Sequence, residues 1–291
     1  MTRLLLGLPA PAKINLFLHV VGRRSDGYHD LQTAFVPIDV ADLLDFERRD
    51  DGAIERDGDI VGETERDLCV RAAQALRDAA GIAAGVRISV EKRIPAGSGL
   101  GGGSSDAATT LIALNRLWAL GWPRSRLAAI GRQLGADVPF FLEPGAAFGE
   151  GVGERLTAVD VPPLWVVLVH PAIHVSTAEI FGAPELTRDS KITKISAFCQ
   201  AASAIARVPF GANDLERVVR RRLAEVDAAL TLLERHAGSY ARMSGSGSAV
   251  FAPFESRADA EAAAAAVRAD APGGWMVRVA ASLPEHPLRA W

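Results

Sequence analysis

The stretch Ile94-Pro-Ala-Gly-Ser-Gly-Leu-Gly-Gly-Gly-Ser-Ser-Asp-Ala-Ala108 restricts the possible folds of this chain more than any other. The β-branched run Val86-Arg-Ile-Ser-Val90 stands just before it, and the helix-forming run from Ala107 to Trp118 just after it. That order dictates a strand, a glycine-rich loop and a helix start. Five of the seven residues from Gly97 to Gly103 are glycine. Each costs chain entropy unless a left-handed backbone or a close approach requires it, so a turn that binds nothing explains them poorly. Glycine backbone beside a helix N-terminus, with its unpaired N–H groups and partial positive charge, makes a phosphate site.

Three phosphate loops compete for this segment. A Walker A loop needs lysine after its last glycine, and Gly103 is followed by Ser104 and Ser105 instead. A dinucleotide loop needs G-x-G-x-x-G, which Gly97-Ser-Gly99-Leu-Gly101-Gly102 satisfies. It also needs an acidic residue about 20 positions on, at the end of the next strand. That region is the loop-like Leu120-Gly-Trp-Pro-Arg-Ser-Arg126, which disfavours a dinucleotide oxidoreductase. The third is a P-x-G-x-G-L loop closed by Ser-Ser-x-Ala, present as Pro95 to Ala107.

Bulk properties narrow the class. The chain has 291 residues, 49% of them apolar and 23% charged, as in a folded protein of one large or two modest domains. A net charge of −3 argues against a nucleic-acid partner. The basic run Arg220-Arg-Arg222 falls in an expected helix from Asn213 to His236 and reads as a solvated face. Cys69 and Cys199 stand far apart with no CxxC, which fits a reducing compartment and no metal cluster. Arg3 and Leu4-Leu-Leu-Gly-Leu8 imitate a secretory signal, but the apolar core falls short of the usual roughly 7–15 residues. No run approaches the ~20 apolar residues of a membrane span. The expectation is a cytoplasmic protein with no membrane partner.

Along the chain, Ala12 to Gly22 alternates as a strand, with Ile14, Leu16, Leu18 and Val20 on one face and Lys13, Asn15, Phe17 and His19 on the other. Arg23 to Gly27 is an Asp-Gly turn. Gln32–Val40 and Asp42–Arg48 read as two strands, Asp50–Thr64 as a hairpin, and Leu68–Ala80 as a helix stopped by Gly81. Val86–Lys92 is the strand before the loop. Ser125–Leu134 is a helix, Leu164–Val169 a strand, Asn213–Arg235 and Ala258–Ala269 helices, and Val277–Ala281 a last strand. Ser244-Gly-Ser-Gly-Ser-Ala-Val-Phe251 is a second glycine-rich turn feeding an apolar strand. Composition shifts near residue 155, dividing the chain into 1–155 and 156–291. Strands and helices mix without strict alternation, which predicts an α+β fold.

Single residues carry plain readings. Lys13 in an apolar strand fits a solvent-facing edge. Asp137 before Val138-Pro139 fits an N-cap. Tyr28 and His29 after a tight turn fit a surface.

The combination is more telling. The loop resembles that of the GHMP kinases, in which it wraps the phosphates of ATP. Pro11-Ala-Lys-Ile-Asn-Leu-Phe-Leu18 with Gly22-Arg-Arg-Ser-Asp-Gly-Tyr-His29, then Leu134-Gly-Ala-Asp-Val-Pro-Phe140, Glu150-Gly-Val-Gly-Glu154, Asn213-Asp-Leu-Glu216 and Ser244-Gly-Ser-Gly247, resemble in order the branch that phosphorylates a cytidine-diphosphate sugar alcohol.

That resemblance implies a two-domain fold: a ribosomal-protein-S5-domain-2-like ATP-binding half followed by an α/β-sandwich substrate half. It implies a catalytic pair, Lys13 and Asp137, the carboxylate accepting the proton of the attacking hydroxyl and the lysine keeping it ionised. Asn15 and Gly245 would face the sugar alcohol, His29 would read the cytosine edge, and Tyr28 and Phe181 would sandwich the base. ATP would lie on Lys92, Pro95, Gly97, Gly99, Leu100, Gly101, Gly102, Gly103, Ser104 and Ser105. Mg²⁺ would bridge its phosphates, with either Ser104 or Ser105 as a ligand. The enzyme would act as a monomer or homodimer. Asp67 stands where the family commonly has Asn near adenine, which puts that contact in question. Another small-alcohol kinase of this family and a non-catalytic nucleotide-binding module are the alternatives.

Overall fold

The computed structural model describes residues 3–238 and 240–291. Two sheets organise the chain. The first holds β1 (Leu4–Arg23), β2 (His29–Arg49), β3 (Ile54–Gly58), β4 (Gly85–Glu91), β5 (Ala147–Gly151) and β6 (Arg155–Ala158), in the order β3-β4-β2-β5-β6 with β1 also on β2. The second holds β7 (Trp165–His170), β8 (Arg242–Met243), β9 (Val250–Phe254) and β10 (Met276–Ala281), in the order β10-β7-β9-β8.

Two helices, α1 (Leu68–Ala80) and α2 (Gly102–Leu117), pack on the first sheet, and α3 (Arg124–Leu134) packs on both of them. α1 starts and stops as its sequence dictates. The Asp67 carboxylate accepts from the Cys69 N–H at its N-terminus, and Gly81, at φ 63°, ends it in the left-handed region. Five more follow: α4 (Thr177–Gly182), α5 (Ile195–Ala202), α6 (Glu216–Arg222), α7 (Ala224–Ala237) and α8 (Arg257–Asp270). α7 and α8 cover the second sheet, burying Leu230, Leu233, Ala264 and Val267 with Val167, Val169 and Val250.

The structure departs from the sequence reading at several places. The two strands expected between Gln32 and Arg48 are one, β2, which pairs with β1, β4 and β5. The segment 50–64 is no hairpin: β3 pairs parallel with β4, and α1 makes the crossover a parallel pair requires. The helix expected over 213–236 breaks at Leu223, which is extended at φ −128°, ψ 99°. α2 begins at Gly102, inside the glycine run, so Gly102 and Gly103 are helix rather than loop. The β1 alternation also fails locally. Its register with β2 shifts between Asn15 and Leu18, and Phe17 joins Ile14 and Leu16 in one apolar cluster instead of sharing the Lys13 face.

β1 and β2 also tie the two sheets together. Leu18 and Val20 bury their side chains in the cluster of the second sheet. Ala281 N–H donates to Asp39 Oδ1 at 2.8 Å, and Leu283 N–H to Pro37 O at 2.8 Å.

Candidate active site

Lys13 is no edge residue. Its side chain is 3% exposed, and burial pushes its ammonium below the ordinary lysine range against the opposing pull of the Asp137 charge. Nζ lies 3.5 Å from Asp137 Oδ2 and donates to Asn15 Oδ1 at 2.6 Å. Asn15 in turn donates from Nδ2 to Thr33 Oγ1 at 2.8 Å. The lysine therefore cannot swing away without leaving a buried amide unpaired. Phe35 lies beneath it, the ring centroid 5.5 Å from Nζ. Asp137 caps no helix; it sits at the turn after α3, its side chain 32% exposed.

The pair opens onto a cavity of about 520 Å³ lined from both halves of the chain. Pro95, Gly97, Gly99, Gly101, Gly102, Gly103, Ser104 and Lys92 line it on one side, Thr177, Phe181, Gly245 and Ser246 on another. The first turn of α2 carries no acidic residue, and no side chain caps it. Its leading N–H groups are thus free to receive an anion. The loop is shaped by close approach. A Cβ on Gly99 would sit 2.1 Å from Ser244 O at φ +77°, and one on Gly101 3.2 Å from Lys13 Cγ at φ +76°. Leu100 turns its side chain into the apolar core, and its carbonyl accepts from the Lys13 N–H at 2.9 Å. Ser105 is fully buried and its hydroxyl has no hydrogen-bond partner among the described residues, whereas Ser104 faces the cavity.

Lys92 serves a buried cluster. Its Nζ donates to Asp42 Oδ2 at 2.5 Å and to Asp106 Oδ2 at 2.7 Å. Asp42, fully buried, also accepts from the Arg93 and Ile94 N–H groups at 2.5 and 2.8 Å, which anchors the start of the loop. Burial works against the Lys92 charge, but the two carboxylates outweigh it and lift its pKa. One cation facing two buried carboxylates leaves Asp106 short of compensation. Burial first, then the Asp42 charge, push it up to about 7, with Lys92 opposing. At the cavity's far end, Asp67 Oδ2 accepts from Arg56 Nε at 2.9 Å and Oδ1 from the Cys69 N–H at 2.7 Å. Its carboxylate is thereby engaged on both oxygens.

Of the three residues expected at the base, Phe181 lines the cavity and the other two lie outside its lining. His29 stacks on Phe181, centroids 5.3 Å apart, and its Nε2 accepts from Arg188 Nε at 3.0 Å. Burial, then Arg188 and Arg23, lower its pKa and so favour the neutral ring. Tyr28 is 65% exposed, and neither it nor His29 lines the cavity. Phe181 thus covers His29 rather than standing opposite Tyr28 across a slot.

Gly245, at φ +54°, approaches so closely that its Cβ would sit 3.2 Å from Lys13 Nζ. The Asn213-Asp-Leu-Glu216 segment explains how that turn is held. Asn213 Nδ2 donates to Met243 O and Gly245 O, each at 2.8 Å, and Glu216 Oε2 accepts from the Met243 N–H at 2.8 Å. Thr33, Asp42, Asp106 and Arg188 escaped sequence reading. Asp106 alone carried a signal: an acid in the first turns of an otherwise alanine-rich, buried helix.

This fold and this site define a kinase of the GHMP class. The family model for the GHMP kinases N terminal domain matches residues 67–145, and that for the GHMP kinases C terminal matches residues 194–273. Among curated relatives, the 4-diphosphocytidyl-2-C-methyl-D-erythritol kinase of Burkholderia multivorans is 51% identical over 100% of this chain and 98% of the relative. That of Ralstonia pickettii is 51% identical over 96% and 94%. A crystal structure of 4-(cytidine 5'-diphospho)-2C-methyl-D-erythritol kinase matches at TM-score 0.79 and 37% identity, covering 95% of this chain and 98% of that one. Homoserine kinase from Cytophaga hutchinsonii shares the fold at TM-score 0.70 and 17% identity, over 98% and 96%. The chain belongs to the 4-diphosphocytidyl-2-C-methyl-D-erythritol kinase family of the GHMP kinases.

Proposed function

We propose that this protein transfers the γ-phosphoryl group of ATP to the 2-hydroxyl of 4-diphosphocytidyl-2-C-methyl-D-erythritol, giving the 2-phosphate and ADP in the non-mevalonate isoprenoid pathway. The observation that carries the reading is the approach of Lys13 Nζ to Asp137 Oδ2, 3.5 Å, within a cavity floored by the uncapped N-terminus of α2.

The substrate hydroxyl oxygen attacks the γ-phosphorus in line, the bond to the β,γ-bridging oxygen breaks, and the hydroxyl proton passes to Asp137. Lys13 holds Asp137 turned toward the acceptor, and its charge balances the negative charge at the transfer point. Phosphoryl transfer asks mainly for such positioning and charge stabilisation. Glycine backbone from Gly99 to Gly103 and the α2 N–H groups hold the phosphates. Mg²⁺, when bound with ATP, neutralises the phosphates. Ser104, the serine that lines the cavity, is the ligand this chain offers beside phosphate oxygen and water, a donor set that suits this ion. Asn15 and Gly245 border the sugar alcohol, and His29, Tyr28 and Phe181 take the cytosine once the His29–Phe181 stack parts.

No helix among the described residues is long and apolar enough to cross a membrane. Two free cysteines, one of them exposed, support placement in a reducing cytoplasm. A coupled assay for ADP release tests the reading. Turnover with the cytidyl alcohol and none with homoserine or mevalonate is expected, and the reverse pattern refutes it.

A further inference from the structure

A second cleft, of about 600 Å³, shares no lining residue with the catalytic cavity. Its walls carry Arg217, Arg220 and Arg221 of α6, with Arg242 at its edge. Two of these cations are already committed. Arg220 pairs with Asp227 at 2.6 Å and Glu234 at 3.2 Å. Arg242 donates to the carbonyls of Leu16, Phe210 and Gly211. Arg217 and Arg221 are exposed and make no hydrogen bond or ion pair among the described residues, although the Arg221 charge also acts on Glu185, the partner of Arg222. They stand four apart, so they share one face of α6, one turn from each other. The one acid in the cleft, Glu216, has an oxygen engaged by the Met243 N–H and the charges of Arg242 and Arg220 beside it. Pro209, Ala212, Ala241 and the Tyr240 ring form the apolar part of the lining.

We propose that this cleft is a second binding site, for a small organic phosphate. The phosphate bridges the Arg217 and Arg221 guanidinium groups, whose fixed fork suits phosphate oxygens. The organic body lies on Pro209, Ala212, Ala241 and Tyr240. The site also reaches the catalytic centre. Asn213 and Glu216, both in the cleft wall, hold the turn that presses Gly245 against Lys13. An occupant that shifts α6 therefore alters how the acceptor alcohol is held.

n-Butyl phosphate is the probe, with inorganic phosphate as the comparison. Each is titrated calorimetrically into protein already saturated with a non-hydrolysable ATP analogue and the cytidyl alcohol, so that the catalytic cavity is filled. One site per chain is expected for butyl phosphate, tighter than for inorganic phosphate, and at least tenfold weaker in the R217Q/R221Q double variant. That variant keeps wild-type kcat without the probe, which shows that it is folded. Butyl phosphate should also shift the KM for the cytidyl alcohol in the wild type and not in the double variant. The site is overturned if no heat appears, if the double variant binds equally well, or if inorganic phosphate binds as tightly as its butyl ester. Binding with no KM shift overturns the link to the catalytic turn.

Discussion

The two ends of the catalytic cavity are built differently. At the phosphate end the side chains around the transfer point are held in place. Lys13 is held by Asn15 and Asp137, Asn15 by Thr33, and the loop by Asp42 beneath and Ser244 above. At the end proposed for the base, Phe181 lines the cavity and rests on His29, while His29 and the 65% exposed Tyr28 lie outside the lining. The contrast separates the two tasks. Transfer chemistry loses heavily from small misplacement, so its groups are fixed in advance. Recognition of the base tolerates side chains that rearrange on binding.

The comparison can be broken first at Asp137. Asp137→Asn should lower kcat by about 10²–10⁴-fold, the usual range for a general base, with ATP affinity by calorimetry unchanged. Near-normal turnover would remove the carboxylate from the chemistry. Gly99→Ala should come next. The added methyl meets Ser244 O at a positive φ, which should raise the KM for ATP more than tenfold and lower stability by about 1–3 kcal/mol in denaturant titration. His29→Ala at the other end should raise only the KM for the cytidyl alcohol, by about tenfold, as one hydrogen bond implies. A change confined to ATP would contradict the role in base recognition. A subtler effect is the alkaline limb of kcat. Lysine is charged below its pKa, and burial lowers that of Lys13. Activity should therefore fall at a lower pH than an ordinary lysine would dictate, and a limb at the ordinary lysine range would show that Lys13 is not the titrating group. Tyr28→Phe should change the KM least, less than about twofold, because a stacking face survives the loss of the hydroxyl.

The same division governed what could be read from the chain. The phosphate loop announced itself because five closely spaced glycines have few other uses, and the end of α1 was legible because Gly81 is a local stop sign, whereas the Asp67 cap at its start emerged only in the structure. The meeting of Lys13 with Asp137 had no local signal; the plain readings, strand edge and N-cap, were both wrong for the structure. A family resemblance supplied what spacing could not. Asp42 and Asp106 escaped because an isolated acid on a strand or helix reads as a solvated face until its partner, here Lys92, is located in space. The β1 face assignment failed at Phe17 because a register shift is set by the partner strand, not by alternation.

Strands β1 and β2 extend 20 and 21 residues and take part in all three apolar clusters. Neither half of the molecule can melt while the other stays intact, because each contains part of the other's interior. Calorimetry should then record one endotherm rather than two. Access for ligands must come from side chains and loops moving at the rim, since a clamshell motion of the whole enzyme would tear the two longest ribbons of its backbone.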